Sequence, residues 1–240
     1  SSIILSIPIL AKINEGNNLG TTGILETPNT RIMSDWSMRM FVNKDKPYSH
    51  YGFALTPLPF LEVNFHITEI DGISELDNKD KSLSFKVMLQ EERKLLPSVV
   101  FGGDDIWGTG LYTSKYIALG KQIGYFDFTL GYAKGRLAGN QIDQSSNNNA
   151  LEFIKDLTWD GGKPFGSILF NASPKLSLMA EYSPINYKKD ILSPFSNTGK
   201  YDFPKSKINI GAKYALGDNS IINLSFQRGN ELSFGYSYQF

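Results

Sequence analysis

The sequence predicts an all-β fold, a transmembrane antiparallel up-and-down β-barrel of about 12 strands. Three observations lead there. Segments throughout the chain alternate apolar and polar residues with a period of two. The connections between them also alternate, tight and then longer. The last segment, ELSFGYSYQF (231–240), places Leu232, Phe234, Tyr236, Tyr238 and Phe240 on one face and Ser233, Gly235, Ser237 and Gln239 on the other.

The elements follow in order. Residues 1–11 contain IILSIPIL (3–10), the longest apolar run. It is too short for a transmembrane helix, which takes about 20 residues, so a membrane-crossing chain of this kind crosses as strands. The first 35 residues are read either as a signal-region remnant or as a segment that lies in the periplasm or plugs the lumen. Pro8 argues against a central strand there. Strands are expected at 36–42 and 49–57, joined by the short NKDKP. The tight PLP leads to 60–70, where Leu61, Val63, Phe65 and Ile67 alternate with Glu62, Asn64 and His66. The longer DGISELDNKDK precedes 82–91, where Leu83, Phe85, Val87 and Leu89 mark one face. ERKLL turns into 97–103, and DDIWGTGLY connects to 113–121. QIGY turns into 124–136, with Phe126, Phe128, Leu130 and Tyr132 on one face. A long stretch, 137–165, follows; within it NALEFIKDL (149–157) is expected to make a helical turn or two. Strands at 166–172 and 176–185 are joined by SPK. A second long stretch, 186–205, leads to 206–216, where Ile208, Ile210, Ala212, Tyr214 and Leu216 alternate with Lys207, Asn209, Gly211 and Lys213. GDN and GN make the last turns, to 219–228 and 231–240.

Alternating tight and long connections are the pattern of outer-membrane barrels, with short periplasmic turns and longer outer loops. An even strand count then puts both termini in the periplasm. Pro57, Pro59, Pro97, Pro174, Pro184, Pro194 and Pro204 fall at turns, strand starts or loops, where no ladder N–H is needed. A soluble antiparallel sandwich also alternates, but with its apolar set inward. The small and neutral polar set, the alternating connections and the aromatic last strand favour the barrel. The domain reading is therefore an N-terminal segment, 1–35, and an outer-membrane barrel, 36–240.

Composition removes several classes of function. Among 240 residues, 24 basic and 24 acidic side chains balance. Nucleic-acid binding normally needs a basic footprint, so no nucleic-acid partner is expected. Cysteine is absent, which removes disulfide scaffolds and Cys-based metal sites. Aromatics make up 13%, as expected where strands meet lipid headgroups.

Four stretches, GILETPNTRIM (23–33), PLPFLEVNFHIT (57–68), GTGLYTSKYIALGKQIGYFDFTLGYAKGRL (108–137) and LSFQRGNELSFGYSYQF (224–240), resemble the YjbH-type proteins. The resemblance covers most of residues 23–240. It implies an outer-membrane barrel associated with exopolysaccharide production. Members of that family are often much longer, so this chain corresponds to one barrel unit. Lys115 stands where the family pattern leads one to expect an acid. The resemblance also implies that the terminal aromatic strand, with Tyr236, Tyr238 and Phe240, is the signal read by barrel-assembly machinery.

No catalytic constellation is expected. Two histidines are present. His66 points inward and has no serine at a spacing that would suit a barrel phospholipase. GGDDIWGTG (102–110) puts Asp104 and Asp105 at an outer rim, either as solvated residues of a glycine-rich turn or as oxygen ligands for a cation or other ligand. No metal or cofactor is assigned. GKP (162–164) lacks the rest of a phosphate loop. The lumen carries the remaining information: Arg39, Glu62, His66, Lys86, Glu181, Lys207 and Lys213 are expected to point inward, with Asn64, Asn171, Asn209 and Asn223. Their cations outnumber their acids, so an open path would favour anions; alternatively, mixed charges lock a closed lumen. Three functions follow: a narrow pore or export-related barrel for an envelope polysaccharide or other anionic solute; a closed structural barrel that docks other envelope proteins; and, the least favoured, an outer-membrane enzyme. The expected partners are outer-membrane lipid, barrel-assembly machinery and possible polysaccharide or envelope-protein partners.

Overall fold

The computed structural model of the chain describes residues 15–71, 79–108, 110, 112–140, 157–189 and 202–240. The expected turns at 149–157 fall outside these, apart from Leu157, and so do residues 1–14.

Twelve antiparallel strands close into one barrel. They are β1 (Met38–Asp45), β2 (Tyr48–Leu58), β3 (Leu61–Ile70), β4 (Lys79–Gln90), β5 (Ser98–Gly108), β6 (Ser114–Ile123), β7 (Phe126–Gly135), β8 (Lys163–Asn171), β9 (Leu176–Tyr182), β10 (Ile208–Ala215), β11 (Ser220–Gln227) and β12 (Glu231–Gln239). Each pairs with its neighbours in sequence, and β1 pairs with β12 from Arg39↔Gln239 to Lys44↔Phe234. Closure leaves no open edge, which is the condition for a sheet in hydrocarbon, where no water can satisfy a free N–H or C=O.

The alternation has the sense a membrane requires. Phe126, Phe128, Leu130, Ile168, Ile210, Leu224, Leu232 and Phe234 face outward and are exposed. Their sequence neighbours Asp127, Thr129, Ser167, Asn209, Asn223, Ser225 and Ser233 face inward and are buried. This inverts a soluble sandwich, whose apolar set would be inside. Tyr236, Tyr238 and Phe240 end the outer face of β12, and the rings of Tyr238 and Phe240 meet edge-on at 4.8 Å. The described residues contain no helix long and apolar enough to cross a membrane.

The interior is packed. An aromatic cluster fills the half nearer the long connections, including Tyr48, Tyr112, Tyr116, Phe165 and Tyr187. Tyr116 meets Phe165 edge-on at 6.3 Å, and the ring of Phe165 occupies the space over Gly131, where a Cβ would lie 2.1 Å from it. The other half is filled by the N-terminal segment. Residues 15–31 thread the lumen, nearly all buried, in two tight reversals marked by bridges Gly16↔Thr22 and Gly23↔Pro28. Ile24 and Leu25 pack on the inward Leu169 and Met179. The segment leaves past Arg31 and joins β1 at the end of the barrel that carries the short turns.

Candidate functional site

An irregular segment inside a barrel carries backbone N–H and C=O groups that no helix or sheet satisfies, and each must find a partner. The wall supplies them. On β3, Glu62 accepts from the Thr22 N–H at 2.6 Å and its hydroxyl at 2.5 Å. Its cross-strand partner Lys86 on β4 donates to the Thr22 carbonyl at 2.6 Å and to the Asn29 carbonyl at 3.3 Å. Two opposite charges thus hold the two peptide groups that flank Thr22, one by its N–H and the other by its carbonyl. On β9, Glu181 accepts from the N–H groups of Leu25, Glu26 and Thr27 at 3.2, 2.7 and 3.0 Å, and from the Thr27 hydroxyl at 2.6 Å. Lys213 on β10 donates to the carbonyls of Gly16 and Gly23 at 3.1 and 3.0 Å. Arg39 on β1 donates to the Gly20 carbonyl at 2.6 Å and lies 3.8 Å from Glu15. Asn64 holds the Leu19 carbonyl, and Asn43 holds those of Asn17 and Asn18.

The segment is also anchored at both ends of the barrel. Near the short turns, Arg31 makes a bidentate pair with Asp127 at 2.7 and 2.6 Å and a second contact with Glu92 at 2.7 Å. Near the long connections, Glu26 meets Arg228 at 2.9 Å and the Tyr187 hydroxyl. Arg228 also pairs with Asp45 and donates to the Lys46 carbonyl at 3.0 Å. Its guanidinium lies 4.2 Å from the ring of Tyr187. Arg136 sits against the ring of Tyr112 at 4.5 Å. Arg228 opens the β11–β12 turn at φ 61, followed by Gly229 at φ 74, the paired positive angles that suit a tight hairpin. The buried ion pairs hold Arg in a region of φ that it rarely adopts.

The inward residues expected from the sequence divide accordingly. Arg39, Glu62, Lys86, Glu181 and Lys213 are buried on the segment, and His66 is buried beside Asn64. Lys207 is a correction: it precedes β10 and its side chain is exposed at the rim, because the ladder begins one residue later. Asp104 and Asp105 are another. They do not lie in a solvated turn; both are buried in β5, at an irregularity where the pairing with β4 skips between Phe85↔Gly103 and Leu83↔Trp107. The bulge turns Asp105 (φ 49) inward, where its carboxylate accepts from the Tyr112 N–H at 2.8 Å. Among the described residues no group of three or more His, Cys, Asp or Glu is placed to hold a metal ion. Lys115 is buried, with its ammonium 5.2 Å from the ring of Trp159.

A cavity of about 210 Å³ opens at the same rim, over the Glu26–Arg228 pair. Lys188, Lys205 and Lys207 line it together with Tyr187. Sequence reasoning named Lys207 only as a lumen residue and missed the site, because its other residues come from segments far apart in the chain, none with a motif of its own.

The family model described as "Exopolysaccharide biosynthesis protein YbjH" matches residues 15–240. This chain belongs to the YjbH family. The match starts at the first described residue of the plug, so the family's pattern takes in the plug as well as the strands. "Uncharacterized lipoprotein YjbH" of Escherichia coli (strain K12) is 30% identical over 244 residues, covering 91% of this chain and 34% of that protein. The chain therefore spans about a third of that relative's length. Among solved structures, the "KdgM porin" matches with a TM-score of 0.48 at 8% identity, over 85% of this chain and 98% of that one. Omp33 of Acinetobacter baumannii matches with a TM-score of 0.42 at 11% identity, over 86% and 97%. With its outward apolar belt, closed sheet and family, the chain is an outer-membrane barrel of the exopolysaccharide-associated YjbH family.

Proposed function

We propose that this chain is a non-catalytic barrel unit, closed at rest by residues 15–31, that serves exopolysaccharide production from the outer membrane. One observation carries the reading: the lumen charges Arg39, Glu62, Lys86, Glu181 and Lys213 are all bonded to that segment. A cation that holds a buried carbonyl is not available to a passing solute. Withdrawal of the segment would expose Arg39, Lys86 and Lys213 against Glu62 and Glu181 in the middle of the lumen, with Asp127 freed only near the short turns, so the middle of the uncovered path would favour anions, an effect that fades as the screening length falls from about 10 Å at 0.1 M salt to about 3 Å at 1 M. In this reading the termini are periplasmic, the long connections face the cell surface, and assembly machinery reads the strand ending at Phe240.

Planar-bilayer recording tests it. The wild-type barrel is expected to be silent. Lys86→Met with Lys213→Met is expected to give intermittent, cation-favouring openings, because carbonyls of Gly16, Thr22, Gly23 and Asn29 lose their donors and Arg39 is left against Glu62 and Glu181. Steady conductance in the wild type would overturn the closed reading. Protease added to intact cells should spare the turns at 172–175 and 216–219; cleavage there would reverse the orientation.

A further inference from the structure

We propose that the rim cavity is a binding site for an acidic sugar unit, a uronate or similarly charged residue of an extended glycan. Four cationic side chains line it, Lys188, Lys205, Lys207 and Arg228, against the single carboxylate of Glu26. Arg228 is 2% exposed and is fixed from several sides by Asp45, Glu26 and the Lys46 carbonyl. It therefore forms a rigid floor whose charge is balanced by Glu26 and Asp45, so the positive charge on offer is that of the three lysines. The lysines are exposed and sit around it at the two ends of the β9–β10 connection: Lys188 lies in the short 3-10 turn Tyr187–Lys189 after β9, and Lys205 and Lys207 precede β10. Lys188 rests 4.8 Å from the ring of Phe203, and Lys205 is 3.6 Å from Asp202, both solvent-facing arrangements that cost little to exchange for a ligand carboxylate. Three mobile positive charges around a fixed, neutralised base, in a concave and partly dehydrated space, concentrate anions more than the same lysines would on an open surface.

The size of the cavity narrows the ligand. At about 210 Å³ it lies below the roughly 300–1,000 Å³ of sites for drug-sized molecules. It suits one sugar ring with the rest of a chain running out over the rim. Next to the lysines, Asn186 and Tyr187 also line the wall, a polar amide and an aromatic ring of the kinds that suit a sugar's hydroxyls and its apolar face. The anion preference rests on this geometry alone; the choice of a glycan rests on the function proposed above.

The experiment is calorimetry on the purified barrel in detergent, with a hexamer of mannuronate as the probe, and neutral maltohexaose, poly-glutamate of similar charge and inorganic phosphate as comparisons. The triple variant Lys188→Gln, Lys205→Gln, Lys207→Gln changes only exposed side chains and should fold. The wild type is expected to bind the mannuronate hexamer in preference to all three comparisons. The variant should bind it about tenfold more weakly, the combined effect of losing several solvent-exposed ion pairs. Binding in the variant equal to the wild type would overturn the site. Equal binding of maltohexaose would overturn the charge reading, and equal binding of poly-glutamate or phosphate would overturn the sugar class. Because the assay does not depend on conductance, a barrel that conducts at rest and still prefers the mannuronate would refute the closed state and leave this site standing.

Discussion

Glu181→Ala should release the plug without unfolding the barrel. The carboxylate collects the N–H groups of Leu25, Glu26 and Thr27, the Thr27 hydroxyl and the Asn209 amide, the last at 2.9 Å. A hydrogen bond to a charged group is worth about 1.5–3 kcal/mol. These bonds are not additive, because a single displacement of the segment breaks all four of the contacts it makes. Removing one partner of a buried charged network typically costs about 3–5 kcal/mol. A loss of about 4 kcal/mol from the free energy of plug opening corresponds to about a thousandfold, at about 1.4 kcal/mol per tenfold. Amide hydrogen exchange reads it directly. The amides of residues 25–27 should exchange about a thousandfold faster in the variant, while the ladder amides around Ala180 keep their protection. Glu181→Gln should fall between, because its oxygen still accepts but its NH2 now faces donors. Exchange at residues 25–27 within about twofold of wild type, the scale of ordinary non-additivity, would refute the clamp. Equal acceleration of the ladder would show that the barrel, and not the plug, had loosened.

Other outcomes test other parts of the structure. Phe128→Arg, on the lipid face of β7, should cost about 2–4 kcal/mol in an unfolding titration in lipid if it lies near mid-membrane; a neutral effect would put that face against something polar. Gly120→Ala places a Cβ 1.9 Å from the Thr30 hydroxyl, which itself accepts from Ser98 at 2.7 Å. It should cost about 1–3 kcal/mol by overpacking and be largely relieved by Thr30→Gly; no relief would mean the strain lies in the wall. At the short-turn end, burial tends to raise the Glu92 carboxyl, but Arg31, the Gln122 N–H and Lys121 prevail and hold it below its ordinary range. Its folded pKa is depressed, so the anchoring it gives Arg31 is complete above the ordinary Glu value and is lost as pH falls through the lower folded value. Proteolysis after Arg31 should therefore stay slow at mildly acidic pH and accelerate only below the usual carboxylate range; acceleration already near neutrality would refute this anchor.

The barrel was legible in the sequence because a strand's two faces meet different solvents, and a period of two records that directly. Phe126, Phe128 and Leu130 against Asp127 and Thr129 determine which way β7 faces with no knowledge of its neighbours. The same rule put Glu62, Lys86, Glu181 and Lys213 inside. It failed where the ladder is interrupted. At Asp104 and Asp105 a bulge breaks the alternation, and two adjacent residues turn inward. At Lys207 the phase is right but the ladder has ended, so the side chain is free to leave. The partners of the lumen charges were not legible, because GILETPNTRIM has no period: its conformation is imposed by the wall and cannot be read from its own pattern.

That dependence explains why the wall carries charges of both signs. A lumen meant only to be closed could pair acids with bases across adjacent strands, and Glu62 and Lys86 stand opposite each other in register for doing so. Both turn to Thr22 instead. A peptide group has a donor on one side and an acceptor on the other, so a wall that grips bare backbone needs acids for its N–H groups and bases for its carbonyls. Glu181 gathers the donors of residues 25–27, while Lys213 takes the carbonyls of Gly16 and Gly23. The near balance of charge in the interior is thus set by the plug. If the plug withdrew, Glu62 and Lys86 could turn to each other, but Glu181 and Lys213 would lose their backbone partners in a confined space, at a cost of several kcal/mol per ion unless water entered. The cost is shared among many contacts and falls due together, so the segment should behave as a two-state element, held in until something at either anchor, Arg31 or Glu26, shifts the balance.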